Sequence, residues 1–174
     1  MSGGSNRVKK SIVLVGLMGA GKTTVGRALA RRLHLPFVDA DAEIEAAAGL
    51  TIPEIFGRHG EAYFRDGERR VIARLVDGPP QVIATGGGAF MNEETRALIQ
   101  ERCISIWLDG DIAILAARAR KSGRRPLLDK ADPEASLRAL AEIRNPVYAE
   151  AHLRVGCNRR HDQTVDEIVT ALRA

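Results

Sequence analysis

The chain carries a glycine-rich segment of the kind that binds phosphate groups. Residues 16–23 read GLMGAGKT and match the pattern GxxxxGK[ST]. The segment follows an apolar stretch typical of a strand and precedes a stretch with helical periodicity, which is the context that the motif requires. Glycines let successive backbone N–H groups turn toward phosphate oxygens, and the start of the following helix adds positive partial charge. The sequence therefore predicts a site for a nucleoside polyphosphate.

Within this loop we expect Lys22 to contact the β- and γ-phosphates and the Thr23 hydroxyl to bind Mg²⁺. The loop residues predicted to bind the nucleotide are Gly19, Ala20, Gly21, Lys22, Thr23 and Thr24. The same motif occurs in GTPases, motors and transport ATPases, so it leaves the phosphoryl acceptor open. No NKxD motif for reading guanine occurs in the chain, which argues against a GTPase.

Two aspartates, Asp39 and Asp41, follow a second apolar stretch. If the chain stays extended there, both side chains lie on the same side, in the crevice at the carboxyl ends of the strands. One would face the metal and the other would accept the hydroxyl proton of the acceptor. Alternatively, Asp41 only caps a helix over 42–48. Asp109 ends another apolar stretch and is a second possible metal ligand, whereas Asp111 is typical of a helix cap.

Three consecutive glycines follow another predicted strand: Gly86, Gly87 and Gly88. Residues without side chains allow main-chain amides to approach a small ligand closely. Arg65 and Arg144 occupy positions in helical patterns where apolar residues are expected, and an arginine on an inner face needs an anion. That anion is either a structural carboxylate such as Glu61 or Glu68, or the carboxylate of a substrate gripped by two planar guanidinium groups.

A cluster of basic residues leads into a segment without clear periodicity at 121–130. Its members are Arg118, Arg120, Lys121, Arg124 and Arg125. Such a cluster is often only a solvated basic surface. We favour a mobile loop that closes over the nucleotide, because an arginine there could neutralise charge on the transferring phosphoryl group and exclude water. Arg125, beside the rigid Pro126, is our choice for that residue.

Length and composition limit the other classes of function. A chain of 174 residues suits a single domain, and aromatic residues make up only 4%, too few for stacking platforms that bind single-stranded nucleic acid. The net charge of +4 suits several anionic partners, but the basic excess lies in the last third, so nucleic acid is not needed to explain it. No apolar run is long enough to cross a bilayer and no signal-type segment opens the chain, so we expect a cytoplasmic protein.

The elements that must position these residues alternate between strands and helices. We predict strands at 12–15, 36–39, 81–85, 104–109 and 153–156. Helix starts are indicated by Thr51 with Glu54, by Thr164 with Glu167 and by the pair Asp132-Pro133. This alternation predicts an α/β protein with a parallel sheet. We expect a flexible head at 1–10 and a single domain at 11–174.

The motifs together resemble those of the shikimate kinases, in the order in which that family has them, over residues 12 to about 160. They are GLMGAGKTTVGRALA at 16–30, FVDADAEIE at 37–45, FRDGE at 64–68, GGGA at 86–89, RRPLL at 124–128 and RNPVY at 144–148. The resemblance implies a three-layer P-loop kinase fold similar to the nucleoside monophosphate kinases, with a five-stranded parallel sheet in the order 2-3-1-4-5. It also implies a substrate-binding region at about 39–70 and a mobile lid at about 118–131.

By the same resemblance, the protein transfers the γ-phosphoryl group of ATP to the 3-hydroxyl of shikimate, with Mg²⁺, in aromatic amino-acid biosynthesis. The implied shikimate-binding residues are Asp41, Arg65, Gly86, Gly87, Gly88 and Arg144, and Arg118, Arg125 and Arg160 are implied for ATP. Lys22, Asp41 and Arg125 are then the catalytic residues, and Thr23 and Asp39 hold the metal, so Asp109 loses its role. We expect a monomer. The alternatives are a kinase of another small hydroxy acid, such as gluconate, or a nucleotide-dependent binding module without turnover.

Overall fold

Five short apolar segments form one parallel sheet at the centre of the protein. The computed structural model describes residues 8–122 and 132–174. The strands are β1 (Ile12–Val15), β2 (Phe37–Asp39), β3 (Val82–Ala84), β4 (Ile104–Asp109) and β5 (Leu153–Gly156). Their order is β2-β3-β1-β4-β5, and every neighbouring pair is parallel. The predicted fold class and strand order are confirmed. β1 and β3 are wholly buried, as expected for strands covered on both faces.

The helices connect these strands across both faces of the sheet. They are α1 (Lys22–Leu33), α2 (Ala40–Ala48), α3 (Ile52–His59), α4 (Glu61–Asp77), α5 (Glu93–Arg102), α6 (Ile112–Ser122), α7 (Pro133–Tyr148) and α8 (His161–Arg173). A 3₁₀ turn, Ala89–Met91, precedes α5. α1 packs against α8, α4 against α5 and α6 against α7. This is the packing expected when right-handed crossovers put α1 on one face of the sheet and the other connections on the opposite face. Among the residues that the structure describes, no helix is both long and apolar enough to cross a membrane.

Several helix boundaries follow directly from capping side chains. The Thr51 hydroxyl accepts a hydrogen bond from the N–H of Glu54 at 3.3 Å, and the Asp132 carboxylate accepts one from Ala135 at 3.0 Å with Pro133 in the first turn. Both predicted starts are confirmed. The predicted start at Thr164 is wrong, because α8 begins three residues earlier and the Thr164 hydroxyl bonds back to the carbonyl of Arg160.

Two predicted strands are longer than the strands that form. β3 spans Val82–Ala84 and lacks the predicted end residues 81 and 85, although the carbonyl of Gln81 still accepts from the N–H of Ile12 and the N–H of Thr85 still donates to the carbonyl of Leu14. β2 begins one residue later than predicted, at Phe37, since the preceding proline has no N–H to contribute. Both free cysteines, Cys103 and Cys157, are buried.

The sheet order places three functional segments side by side. Asp39 is paired in register with Ala84, and Ala84 is paired with Leu14 of β1. The carboxyl ends of β2, β3 and β1 are therefore adjacent, and each leads into one motif: the aspartate pair, the three glycines and the phosphate loop. This edge of the sheet is where a parallel α/β fold binds its ligands.

Candidate active site

The phosphate loop has a backbone that only glycine adopts easily. Gly16, Gly19 and Gly21 have φ values of 147°, 81° and 88°, in the left-handed half of conformational space. A Cβ atom on Gly16 would also lie 2.8 Å from the carbonyl oxygen of Leu108 on β4. The Lys22 side chain turns back into the loop, where its ammonium donates to the carbonyls of Gly16 and Leu17. The loop therefore surrounds a cation at the N-terminal end of α1.

The Thr23 hydroxyl and the Asp39 carboxylate meet beside this loop. Thr23 Oγ1 donates to Asp39 Oδ2 at 3.3 Å, while Asp39 Oδ1 accepts from the backbone N–H of Asp41 at 2.9 Å. Asp39 is therefore the N-cap of α2, which begins at Ala40 rather than at the predicted residue 42. Our expectation that the chain stays extended through Asp41 is wrong, because Asp41 lies in the first turn of that helix. The alternative in which Asp41 caps the helix is also wrong.

Each of the three glycines after β3 faces one of the side chains predicted for the acceptor site. A Cβ atom on Gly86 would lie 2.8 Å from Asp41 Oδ1, one on Gly87 would lie 2.7 Å from Arg144 Nη1, and one on Gly88 would lie 2.5 Å from Arg65 Nη1. The Gly87 position is also 3.8 Å from the carbonyl oxygen of Gly16 in the phosphate loop. The glycines thus form a floor on which a carboxylate and two guanidinium groups converge next to the loop.

Arg65 forms ion pairs with Glu61 and Glu68, the two nearby carboxylates that the sequence analysis named as structural partners. Its Nη1 lies 2.9 Å from Glu68 Oε1, and its Nε lies 3.6 Å from Glu61 Oε1. Glu68 is buried, at 4% exposure, and burial raises its pKa above the ordinary value; the charge of Asp41 raises the pKa further, and that of Arg65 lowers it. Arg65 Nη2 has no hydrogen-bond partner in the described part of the chain and faces Gly88. The guanidinium is therefore anchored on one side and open on the other.

Arg144 has a different environment, one turn before the end of α7. Within residues 8–122 and 132–174 it forms no ion pair. Its neighbours are the backbone of Gly87 and the phenol of Tyr148, whose pKa is raised to about 12 by burial in spite of the nearby Arg144 charge. A half-buried guanidinium without a protein carboxylate suits an anionic ligand.

The predicted nucleotide side of the site is built on α6 and the loop before α8. Arg118 donates from Nη1 to the carbonyl of Cys157 at 2.6 Å and from Nη2 to that of Arg159 at 3.0 Å. Arg160 pairs with Asp162 at 2.6 Å. Next along the chain, His161 Nε2 lies 3.0 Å from the Cβ position of Gly21. Arg118 thus ties α6 to this loop beside the phosphate loop, while the remaining predicted ATP residue, Arg125, lies outside the described residues.

Comparison with known proteins decides which family this arrangement belongs to. The shikimate kinase family model matches residues 18–173. A shikimate kinase of Bradyrhizobium diazoefficiens is 59% identical over 95% of this chain and 80% of its own, and one of Caulobacter vibrioides is 58% identical over 94% and 82%. The chain belongs to the shikimate kinase family. It is accordingly an ATP-dependent kinase, and the resemblance seen in its motifs is confirmed.

Solved structures agree with this assignment. A shikimate kinase from Acinetobacter baumannii, solved in complex with shikimate, has a TM-score of 0.91 and 39% identity over 95% of this chain and 94% of its own. A gluconokinase from Sinorhizobium meliloti has a TM-score of 0.67 over 97% of this chain and 94% of its own, but only 20% identity, and so shares the fold alone. The comparisons therefore favour the shikimate kinase assignment over the gluconate kinase alternative.

In this shikimate kinase family member, the Asp109 carboxylate is paired with an arginine of the neighbouring strand. Arg154 of β5 donates to Asp109 Oδ2 from Nε at 2.9 Å and from Nη2 at 2.5 Å, and its guanidinium lies 4.7 Å from the centre of the Trp107 ring. Asp111 stands directly before α6, and its carbonyl accepts from the N–H of Leu115. Both aspartates therefore have structural partners at this end of β4.

Two further residues touch the predicted acceptor site: Glu68, which the sequence offered only as a structural partner of an arginine, and Tyr148, which it did not offer as a site residue. Glu68 lies one turn after Arg65 on α4, and Tyr148 lies one turn after Arg144 on α7. The signal was present in both cases, since each stands at i+3 or i+4 from a misplaced arginine on the buried face of its helix. Phe64 is a third neighbour, with its ring centre 5.1 Å from the Arg65 guanidinium.

Proposed function

We propose that this protein transfers the γ-phosphoryl group of MgATP to the 3-hydroxyl of shikimate, giving shikimate 3-phosphate and ADP. The observation that carries the proposal is the convergence of Asp41, Arg65 and Arg144 on three consecutive glycines beside Gly16. A carboxylate and two guanidinium groups suit a small ligand that bears hydroxyl groups and one carboxylate. The phosphate loop adjoins the same floor, so the acceptor hydroxyl and the phosphoryl donor would lie in neighbouring sites.

The two arginines would bind the acceptor carboxylate from adjacent positions. Arg65 and Arg144 lie over Gly88 and Gly87, and planar guanidinium groups can each donate two parallel hydrogen bonds to a carboxylate. Arg65 Nη1 donates to Glu68 Oε1 at 2.9 Å, and this bond keeps the guanidinium oriented. This arrangement would favour an acceptor that bears a carboxylate over an uncharged polyol of similar size.

Asp41 is proposed to orient the attacking hydroxyl and accept its proton. It lies in the first turn of α2, and its Oδ1 faces Gly86 at the edge nearest to Asp39. An aspartate in this role contributes roughly 10²–10⁴ in rate through general-base catalysis. The negative charge of Asp41 also raises the pKa of the neighbouring Glu68, whose burial raises it most.

The donor site would use Lys22, the backbone of 19–24 and the pair Thr23 and Asp39. A hydroxyl and a carboxylate 3.3 Å apart fit Mg²⁺, which usually takes one or two protein oxygens and completes its shell with water and phosphate oxygens. Bound there, Mg²⁺ would offset charge on the phosphates and help to align them. Lys22 would donate to the β- and γ-phosphate oxygens, and Asp39 would keep Thr23 in place.

The proposal retains three further expectations from the sequence. Arg118, Arg125 and Arg160 would contact the nucleotide, and the region at about 118–131 would close over it and exclude water. The single domain would act as a monomer in the cytoplasm. Its product would enter aromatic amino-acid biosynthesis.

Acceptor-dependent release of ADP tests this proposal. The purified protein is supplied with MgATP and, in separate reactions, with shikimate, gluconate or a nucleoside monophosphate. We expect acceleration over buffer with shikimate alone, and loss of that acceleration in the Lys22→Met variant. An equal or larger rate with gluconate would assign the site to another hydroxy acid, and release of ADP that no acceptor accelerates would refute the kinase assignment.

A further inference from the structure

Tyr148 joins the end of α7 to the glycine floor of the proposed acceptor site. It is the last residue of the helix and is completely buried, at 0% exposure. Its phenol O–H donates to the carbonyl oxygen of Gly87. Its ring lies 6.1 Å from that of Trp107, which also packs against Gly16 of the phosphate loop. One side chain thus connects a helix, the glycine floor and the packing beneath the phosphate loop.

The same phenol is the polar neighbour of Arg144. Both residues lie on one face of α7, four positions apart. The Cβ position of Gly87 is 2.7 Å from Arg144 Nη1 and 3.8 Å from the Tyr148 hydroxyl oxygen, so the two groups meet at one glycine. In the part of the chain that the structure describes, Arg144 has no ion-pair partner of the kind that Glu68 provides for Arg65. Glu68 acts on Arg144 only through its charge, beyond ion-pair distance, so the Tyr148 phenol is the polar group placed to orient this guanidinium.

We propose that Tyr148 is a positioning residue for acceptor binding, which acts by fixing the Arg144 guanidinium against the Gly87 backbone. The inference rests on the proposed function, because it assigns Arg144 to the acceptor carboxylate. The phenol keeps its proton at neutral pH, since burial raises its pKa to about 12. It can therefore donate to Gly87 while its oxygen lone pair faces the positive charge of Arg144.

The Tyr148→Phe variant tests this role with little change in packing, because the ring against Trp107 is retained. We expect the KM for shikimate to rise roughly 5- to 10-fold, the size expected for one buried hydrogen bond. The kcat and the KM for ATP should change by less than about two-fold, since the phenol donates to Gly87 in the proposed acceptor site. Tyr63→Phe is the matched control, because it removes the hydroxyl of a tyrosine that is 54% exposed.

A double-mutant cycle separates positioning of Arg144 from a general effect on the fold. Shikimate affinity is measured by calorimetry without nucleotide for Tyr148→Phe, Arg144→Lys and the double variant. If Tyr148 acts through Arg144, the Phe substitution should weaken binding less than two-fold once Arg144 is lysine. Equal losses in both backgrounds would overturn the inference.

The acceptor carboxylate supplies an independent readout. Shikimate methyl ester lacks the charge that Arg144 would bind, so Tyr148→Phe should change the affinity for the ester less than two-fold. A loss for the ester as large as that for shikimate would show that Tyr148 supports the fold alone. If the wild-type protein phosphorylates shikimate but Tyr148→Phe has an unchanged KM, only this inference fails; if the wild type does not use shikimate, the proposed function fails with it.

Discussion

The guanidinium of Arg65 occupies the space that a side chain at Gly88 would need. A Cβ atom on Gly88 would lie 2.5 Å from Arg65 Nη1 and 2.7 Å from its Cζ. The backbone at Gly88 has a φ of −92°, which any residue can adopt, so conformational freedom does not explain this glycine. The third glycine is required because a cation of the proposed acceptor site lies directly over it.

Substitution of Gly88 by alanine should therefore displace Arg65. The added methyl group would push the guanidinium away from the floor; because this is the far end of a flexible side chain, the shift costs little stability but moves the donor groups out of the proposed acceptor site. We expect the KM for shikimate to rise at least about ten-fold, with a smaller effect on the KM for ATP. Steady-state kinetics with each substrate varied in turn measure the effect. An unchanged shikimate KM would place Arg65 outside the acceptor site.

Gly67 supplies the matched control, because it is also a glycine close to Arg65. It lies inside α4 and lines a groove beside α2, and a Cβ atom there would have no neighbour within 4 Å. Alanine in a helix is favoured over glycine by about 0.5–1 kcal/mol. Gly67→Ala should raise the Tm by about 1–4 °C in calorimetry and leave the kinetics unchanged. A lower Tm would mean that the groove needs to stay open.

The strands could be predicted from the sequence more accurately than the segment that follows β2. Apolar runs mark the buried strands β1 and β4, which begin and end where predicted. The bounds of β5 are also as predicted, although it carries the exposed Arg154 and buries only Val155. The pattern Asp-Ala-Asp fits both an extended strand end and the start of a helix. The choice depends on the carboxylate of Asp39, which accepts from the N–H groups of Asp41 and Ala42. Local composition does not reveal which aspartate caps a helix.

The proposed site was predictable in its residue types but not in its pairings. Arg65 and Arg144 stood out because each interrupts an apolar stripe, yet their environments differ in the structure. Arg65 has Glu68 at 2.9 Å, whereas Arg144 has the phenol of Tyr148 beside it. Helical spacing places each neighbour on the correct face but does not give its rotamer. Only the packed helices show which arginine already has a carboxylate partner.

That difference predicts unequal effects when the two arginines become lysines. Arg65→Lys should weaken shikimate binding by about 1.5–3 kcal/mol, as expected for the loss of a charged hydrogen bond. The shikimate KM should therefore rise roughly 10- to 150-fold. Arg144→Lys should have the larger effect, because its guanidinium is not shared with a protein carboxylate in the described part of the chain. The test is the ratio of the two KM values at saturating MgATP. A larger effect at Arg65 would reverse their proposed ranking.

Asp39 and Asp109 both end strands, and their substitution by asparagine should distinguish a metal ligand from an ion-pair partner. Asp39→Asn keeps an oxygen that can cap α2 but loses the charge next to Thr23, so we expect kcat at limiting Mg²⁺ to fall at least about ten-fold. Asp109→Asn breaks only the pair with the exposed Arg154, at a cost of less than about 1 kcal/mol. Its kcat should remain within about two-fold of wild type. A stronger Mg²⁺ dependence in Asp109→Asn than in Asp39→Asn would exchange their roles.

The buried carboxylate of Glu68 predicts a pH dependence of stability. Burial raises its pKa above the ordinary value of 4.5, so the folded protein binds this proton more tightly than the unfolded chain does. Its contribution to stability is complete below pH 4.5 and is lost as the pH rises through the raised pKa. Glutamine does not titrate, so the Tm of Glu68→Gln minus that of wild type should increase as the pH rises through this range.

Asp66, two residues earlier on α4, is a control with the opposite sign. The hydrogen bond from Arg69 lowers its pKa, so its contribution is present at neutral pH and is lost as the pH falls. The Tm of Asp66→Asn minus that of wild type should therefore decrease as the pH rises, because only the wild-type side chain gains a favourable charge. Calorimetric scans from about pH 4 to pH 7 compare both differences. If the Tm differences of Glu68→Gln and Asp66→Asn changed with pH in the same direction, the pKa of Glu68 would be lowered rather than raised. The charge of Arg65 would then outweigh burial at Glu68.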